Sequence, residues 1–201
     1  MAGVRQFDEG AMIATALDLF WRQGLAATSM PDLAQATGIQ RGSLYNAYGD
    51  KETIFLRSFD LYAERFLQAA QSSLQADDAE TALLGFFNAA IDNMTAGTPS
   101  RGCLTTKTAG DGSLDSPCIL DRLRAFLDAL IGIVEAALDR PEIRPQLGIA
   151  PAAAARVIVT FTRGLAVMER VGNDRNDLMT MAQTFVAALI AAPVTPPNNM
   201  T

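Results

Sequence analysis

The chain has 201 residues, 49% of them hydrophobic, with a formal net charge of −6, two cysteines and no histidine. That length suits a small domain beside a larger one, and the missing histidine removes His-based metal sites, Ser-His and Cys-His nucleophile pairs and a histidine general base; no catalytic residue, metal or cofactor is expected. The acidic balance removes the global basic footprint of many nucleic-acid binders, so any DNA contact has to rest on local positive charge.

Ala and Leu, both strong helix formers, are abundant, and no sustained run of alternating β-branched residues is present, so the fold is read as all-α. The first helix is predicted over Phe7–Gln23. Met12, Ile13, Ala16, Leu17, Leu19 and Phe20 give it a broad apolar face at helical spacing. Gly24 suits a C-terminal cap, and Trp21 is read as packing at the domain edge. A second helix starts at Ser29, whose hydroxyl can accept from a first-turn amide. Pro31 is tolerated there. Asp32 stands where a capping box prefers Glu or Gln, and its shorter chain is expected to cap less well. Leu33 and Ala34 turn inward, and Thr37-Gly38 ends the helix.

A short third helix is predicted over Gln40–Tyr48, with Ile39 buried before it, Leu44 inward, and Arg41, Ser43, Tyr45 and Asn46 outward. Asp50 caps a fourth helix that begins at Lys51 and carries Phe55, Phe59, Tyr62 and Phe66 as a core stripe. Further helices are predicted over Glu80–Met94, Cys103–Ala109, Pro117–Leu138, Ala152–Val171 and Asp174–Ala191. Ser116-Pro117 is a favourable helix start. The last two helices are apolar around much of their circumference, which predicts a second covering surface and hence a homodimer through about 152–171 and 174–191. The division expected is a DNA-binding domain at 1–52, an effector-binding and dimerisation domain at 53–192, and a disordered tail at 193–201. No uninterrupted apolar run of ~18 residues predicts a membrane span. The N-terminus lacks an apolar signal region. Two cysteines make no disulfide framework. A cytoplasmic protein with free thiols is expected.

A helix, a Gly-containing turn and a short polar-faced helix fit a helix-turn-helix, with the second helix entering the major groove of double-stranded DNA. Arg41 can bind guanine and Asn46 adenine, each bidentately. Gly42 lets the backbone approach. Ser43, Tyr45 and Tyr48 offer hydroxyls to phosphates, and Lys51 a positive charge. With the positive charge confined to Arg41 and Lys51, affinity is expected to be strongly salt-dependent. The same pattern also fits a helical hairpin in an ordinary bundle.

The run from Gly24 to Phe55, GLAATSMPDLAQATGIQRGSLYNAYGDKETIF, resembles the DNA-binding region of the TetR/AcrR family of bacterial transcriptional regulators. The family pattern falls on Gly24-Leu25, Ser29, Asp32-Leu33-Ala34, Thr37-Gly38-Ile39, Gly42, Leu44-Tyr45, Ala47-Tyr48 and Lys51. Gln40 stands where the family usually places a Ser cap, and Ala47 where it places His. The resemblance implies an all-α homodimer, usually a repressor, bound to a palindromic operator and released when its C-terminal domain takes up a small-molecule effector.

Candidate effector-pocket residues are Phe86, Phe87, Ile91, Met94, Phe126, Leu130, Phe161 and Met168, with ordinary core as the competing reading. Asp111 and Glu169 could pair with a cationic ligand or be solvated surface charges. The segment RGCLTTKTAGD, 101–111, resembles the Gly-Cys-Leu segment of a TetR subgroup that includes electrophile- and oxidant-responsive repressors. At a helix N-terminus, with Arg101 beside it and Lys107 one turn on, the Cys103 thiolate would be stabilised; a small buried apolar role is the alternative. A Cys-dependent helical enzyme, with Lys107 as base to Cys103, and a helical scaffold are the remaining readings.

Overall fold

The computed structural model describes residues 7–172 and 174–190. The tail expected at 193–201, the end of the last predicted helix at Ala191, and Arg5 lie outside the described residues. Among the described residues the chain forms α1 Glu9–Gln23, α2 Met30–Thr37, α3 Arg41–Tyr48, α4 Lys51–Ser73, α5 Ala79–Thr95, α6 Leu104–Gly110, α7 Pro117–Leu138, α8 Pro151–Arg170 and α9 Arg175–Leu189. There is no strand among them, and the fold is all-α.

The helix starts follow their caps. Asp8 Oδ1 accepts from Ala11 N at 3.0 Å, so α1 opens after Asp8 rather than at Phe7. Ser29 and Asp32 close a full capping box: Asp32 N donates to Ser29 Oγ at 3.3 Å, and Asp32 Oδ2 receives the Ser29 amide at 2.9 Å and hydroxyl at 2.6 Å. The shorter acid therefore caps as a longer one would, contrary to the sequence expectation. Those two bonds, the hydroxyl's first and the amide's second, hold the Asp32 carboxyl below its ordinary value. Asp50 Oδ1 receives Thr53 N at 2.7 Å and opens α4. Gly38 ends α2 in the left-handed region at φ 68°, which turns the chain into α3.

Two compact units are built from these helices, and neither is continuous in sequence. The first holds the described residues up to Leu67 together with Ala96–Phe126. Its core is the α1 face and the aromatic stripe of α4: Phe20 meets Phe55 edge-on at 5.2 Å, and Phe59, Tyr62 and Phe66 surround Phe126 at 5.8–6.0 Å. The division expected at residue 52 thus cuts through one packed body: the loop before α6, α6 itself and the first turns of α7 belong with the N-terminal helices. Trp21 is buried at 8% exposure, and its indole N–H donates to Gly102 O at 2.7 Å.

The second unit holds Gln68–Thr95 and the described residues from Leu127 onward. Here α5 packs against α8 and α9. Phe87 meets both Phe161 and Phe185 edge-on at 5.8 Å, and those two rings stack at 4.1 Å. Arg140 closes the end of α4 by donating to the carbonyls of Leu74 at 3.0 Å, Gln75 at 3.4 Å and Ala76. Asp174 and Asp177 form a capping box on α9, and Arg175 pairs with Asp92 of α5 at 2.7 Å. By length and composition α8 could cross a membrane, but 44% of the relevant window is buried inside the protein.

Candidate nucleic-acid interface

The α2–α3 pair presents one polar surface on an apolar footing. Leu33 of α2 and Leu44 of α3 are fully buried, while Arg41, Gly42, Ser43, Tyr45 and Asn46 are exposed, Tyr45 at 45%. The four-residue step from Leu44 to Tyr48 fixes the inner face of α3, and the residues between point out. Gln40 makes no side-chain cap, as expected, so the first-turn amides of α3 have no side-chain acceptor. Ile39 is half-buried rather than buried.

Tyr48, Lys51 and Ser29, all counted among the DNA-contacting residues on sequence grounds, are engaged within the protein. Tyr48 is 8% exposed, and its hydroxyl donates to Glu9 Oε1 at 3.3 Å, bracing α3 against the start of α1. Ser29 spends its hydroxyl on the α2 cap. Lys51 donates to the carbonyls of Leu25 at 2.8 Å, Thr28 at 2.7 Å and Ala26 at 3.4 Å. The turn between α1 and α2 leaves those carbonyls without helical partners, and a three-donor ammonium at the first residue of α4 satisfies them. Arg22 pairs with Asp18 one turn back. Among the described residues up to Lys51, Arg41 is therefore the one cation with no intramolecular hydrogen bond or ion pair.

A profile of the bacterial regulatory proteins, tetR family, matches residues 12–57, which cover α1 to the start of α4. Over 121 residues the chain is 32% identical to the HTH-type transcriptional repressor ComR of Escherichia coli K12; the match takes in 59% of this chain and 58% of ComR. The chain thus spans little more than half the length of the curated relatives it matches. A structure from Rhodococcus sp. RHA1 assigned as a TetR transcriptional regulator is 31% identical, covers 92% of this chain and 100% of its own, and superposes with a TM-score of 0.58. The chain belongs to the tetR family. A cysteine mutant of the TetR family regulator CifR, solved with 26-bp double-strand operator DNA, shares the fold at a TM-score of 0.82, 24% identity, and coverage of 94% and 100%.

In this TetR-family chain the expected effector residues are divided between the two units, and within the second Phe86, Phe87 and Phe161 meet ring to ring. Cys103 and Phe126 belong to the first compact unit and the others to the second. Phe86, Phe87, Ile91, Met94 and Leu130 are core at 0–3% exposure, whereas Met168 is exposed at 37%. A cleft of about 420 Å3 lies elsewhere in the second unit, between the last turns of α4 and one face of α7. Leu74, Ile133, Gly132, Ala129, Ala136 and Ala137 line it, with Gln71, Gln75 and Arg140 beside them. Asp111 is half-buried and receives the amides of Ala26 and Ser113 at 3.2 and 3.0 Å, and Glu169 is 7% exposed, so neither is a solvated surface charge.

Cys103 is 6% exposed, with Sγ 3.0 Å from Thr105 Oγ1; Cys118 is exposed, and both are free thiols. Lys107, expected to stabilise a thiolate at Cys103, directs its ammonium to the carbonyls of Trp21, Arg22 and Arg101. Inward-facing lysines could have been anticipated from the carbonyl-rich end of α1, but no local sequence pattern names the acceptor.

Proposed function

We propose that the chain is a DNA-binding transcriptional regulator: a cytoplasmic homodimer whose two α3 helices read a palindromic operator, acting as a repressor that a small effector releases. The observation that carries the reading is the polarity of α3. Five consecutive surface positions other than Leu44 offer a guanidinium, a bare backbone, a hydroxyl, a phenol and an amide, on a helix held from below by Leu44 and Tyr48. Arg41 and Asn46 read base edges. Ser43 and Tyr45 donate to phosphates, and Gly42 admits the backbone. Gln40 adds an amide at the entry to the helix. Ser29, Tyr48 and Lys51 set the geometry of the head rather than touching DNA. The name of ComR as a repressor and the operator complex of CifR support the same reading.

The dimer face is α8 with α9. Val157, Thr160, Gly164, Val167 and Val171 are exposed at steps of three and four residues, with Val157 at 45%, Val167 at 51% and Val171 at 69%. An apolar stripe of that spacing is the seam on which two helices pack. The α4–α7 cleft has the volume of a small-ligand site, and its Ala, Gly, Ile and Leu lining, with two primary amides and the Arg140 guanidinium already turned to backbone carbonyls, suits a largely apolar effector. The deciding experiment selects duplexes from a random-sequence pool and measures binding by fluorescence anisotropy, with light scattering for mass. Saturable binding of a palindrome by a dimer is expected; no enriched duplex, or binding without sequence preference, overturns the reading.

A further inference from the structure

The chain has only two lysines, and both ammonium groups end on backbone carbonyls at the junction of α1 and α2. Lys51 reaches that junction from α4; Lys107 reaches it from α6, donating to Trp21 O, to Arg22 O at 2.9 Å and to Arg101 O at 3.3 Å. Trp21 and Arg22 lie in the last turn of α1, where carbonyls lack helical amides and the helix dipole favours a cation. One turn further along, Asp111 Oδ2 accepts from Ala26 N at 3.2 Å, so α6 and the residue that follows it present opposite charges to the carbonyl side and the amide side of the same turn. Gly24 passes between them at φ 86°, where a Cβ would stand 3.2 Å from Asp111 Oδ2 and 3.3 Å from Lys107 Cδ. The indole of Trp21 adds the bond to Gly102 O, just before α6. All of these residues lie within one compact unit.

We propose that Lys107 and Asp111 are positioning residues of the DNA-reading head: from α6 they fix the path by which α1 delivers the chain into α2 and α3, without touching DNA. The inference rests on the regulator reading above. A dimeric helix-turn-helix protein must place two reading helices at the spacing of two half-sites, so a small reorientation of each head weakens binding even when the surface of α3 is untouched.

The test uses the full chain and its Lys107→Met, Lys107→Arg and Asp111→Asn variants. Trp21 is the sole tryptophan of the chain, so its emission reports on the clamp with no DNA present. Lys107→Met should shift the Trp21 emission maximum and weaken binding of the wild-type-selected duplex at least tenfold. The slope of log affinity against log salt should not change, because every phosphate neutralised by the wild type is still neutralised. Lys107→Arg, which keeps the charge but replaces radial donors by a planar fork, should recover part of both. Unchanged Trp21 emission together with affinity within twofold of wild type overturns the proposal, and so does a salt slope shallower by about 0.9 per head, about 1.8 for the dimer, the mark of a phosphate no longer neutralised in each. If Lys107→Met does not melt cooperatively, the near-isosteric Asp111→Asn decides by the same two readouts. If wild type binds no duplex, the regulator reading fails, while the Trp21 emission still separates a clamp from none.

Discussion

Replacing Lys51 by Met keeps the aliphatic stem and removes the ammonium, which separates two roles that a sequence cannot. In the structure the ammonium holds Leu25 O and Thr28 O at 2.8 and 2.7 Å, with Ala26 O at the edge of reach at 3.4 Å. Hydrogen bonds involving a charged group contribute about 1.5–3 kcal/mol each. Lys51 is half-buried and water replaces part of the loss, so the two short bonds together come to about 2 kcal/mol. In a chain of this size each kcal/mol moves the melting midpoint by about 2–4 °C, so Lys51→Met should lower it by about 4–8 °C. A phosphate-binding lysine would behave differently: its removal would leave the midpoint in place and make the salt slope shallower by about 0.9 for each phosphate no longer neutralised. Thermal melts and anisotropy titrations across a KCl series read both quantities. The structure requires a lower midpoint with an unchanged slope; the reverse pair of results refutes the inward assignment.

Arg41→Ala should show a different signature, an unchanged midpoint with a loss of about 1–3 kcal/mol of discrimination at one base position, read by competition with single-base variants of the selected duplex. Asp32 has its folded pKa held below the unfolded value by Ser29, so the stability it contributes is complete above about pH 4 and is lost as pH falls through the folded value; melts of wild type and Asp32→Asn should differ at neutral pH and converge in acid, and a constant difference would contradict this. Val167→Asp puts a carboxylate on the α8 seam and should halve the mass seen by light scattering and abolish operator binding, whereas a persistent dimer would place the interface elsewhere. A Cβ on Gly132 meets nothing within 4 Å, so Gly132→Leu should fill the α4–α7 cleft without loss of melting temperature; wild type is expected to enhance the fluorescence of the neutral probe N-phenyl-1-naphthylamine and the variant not to, and equal enhancement in both would exclude the cleft.

Helix number and order were legible in the sequence, with most starts within a residue or two, because each rests on local chemistry. Asp8, Ser29, Asp50 and Asp174 cap, Gly38 turns, and Pro117 starts, each within a few residues of its partner. The outward face of α3 was legible for the same reason, since Leu44 fixes which positions point away. The inward turn of Tyr48 was not. Its partner, Glu9, stands 39 residues earlier, and nothing near Tyr48 marks the contact. For the effector residues a related limit applies: apolar residues at helical spacing specify burial, and full burial is what Phe86, Phe87 and Ile91 show, in line with the core reading set beside the pocket one, but spacing does not say where packing leaves a gap. The gap lies beside Gly132 and three alanines, residues too small to attract notice as a binding face.

The use of the two lysines bears on how an acidic chain can read DNA. An ammonium carries three radial donors and suits a site where several carbonyls converge, whereas the planar guanidinium suits a base edge or a phosphate. At the α1–α2 junction this holds, with Lys51 and Lys107 on the carbonyls and Arg41 facing outward, while elsewhere Arg140 closes three carbonyls with a guanidinium. With a net charge of −6 on the chain, random-sequence DNA meets mostly repulsion. On the function proposed above, binding then depends on the short-range hydrogen bonds of Arg41, Ser43, Tyr45 and Asn46, which form only when the head is correctly seated. The weak electrostatic pull and the rigid junction therefore belong together: the less a head is held by charge, the more its affinity depends on the angle at which Lys51, Lys107 and Asp111 present it.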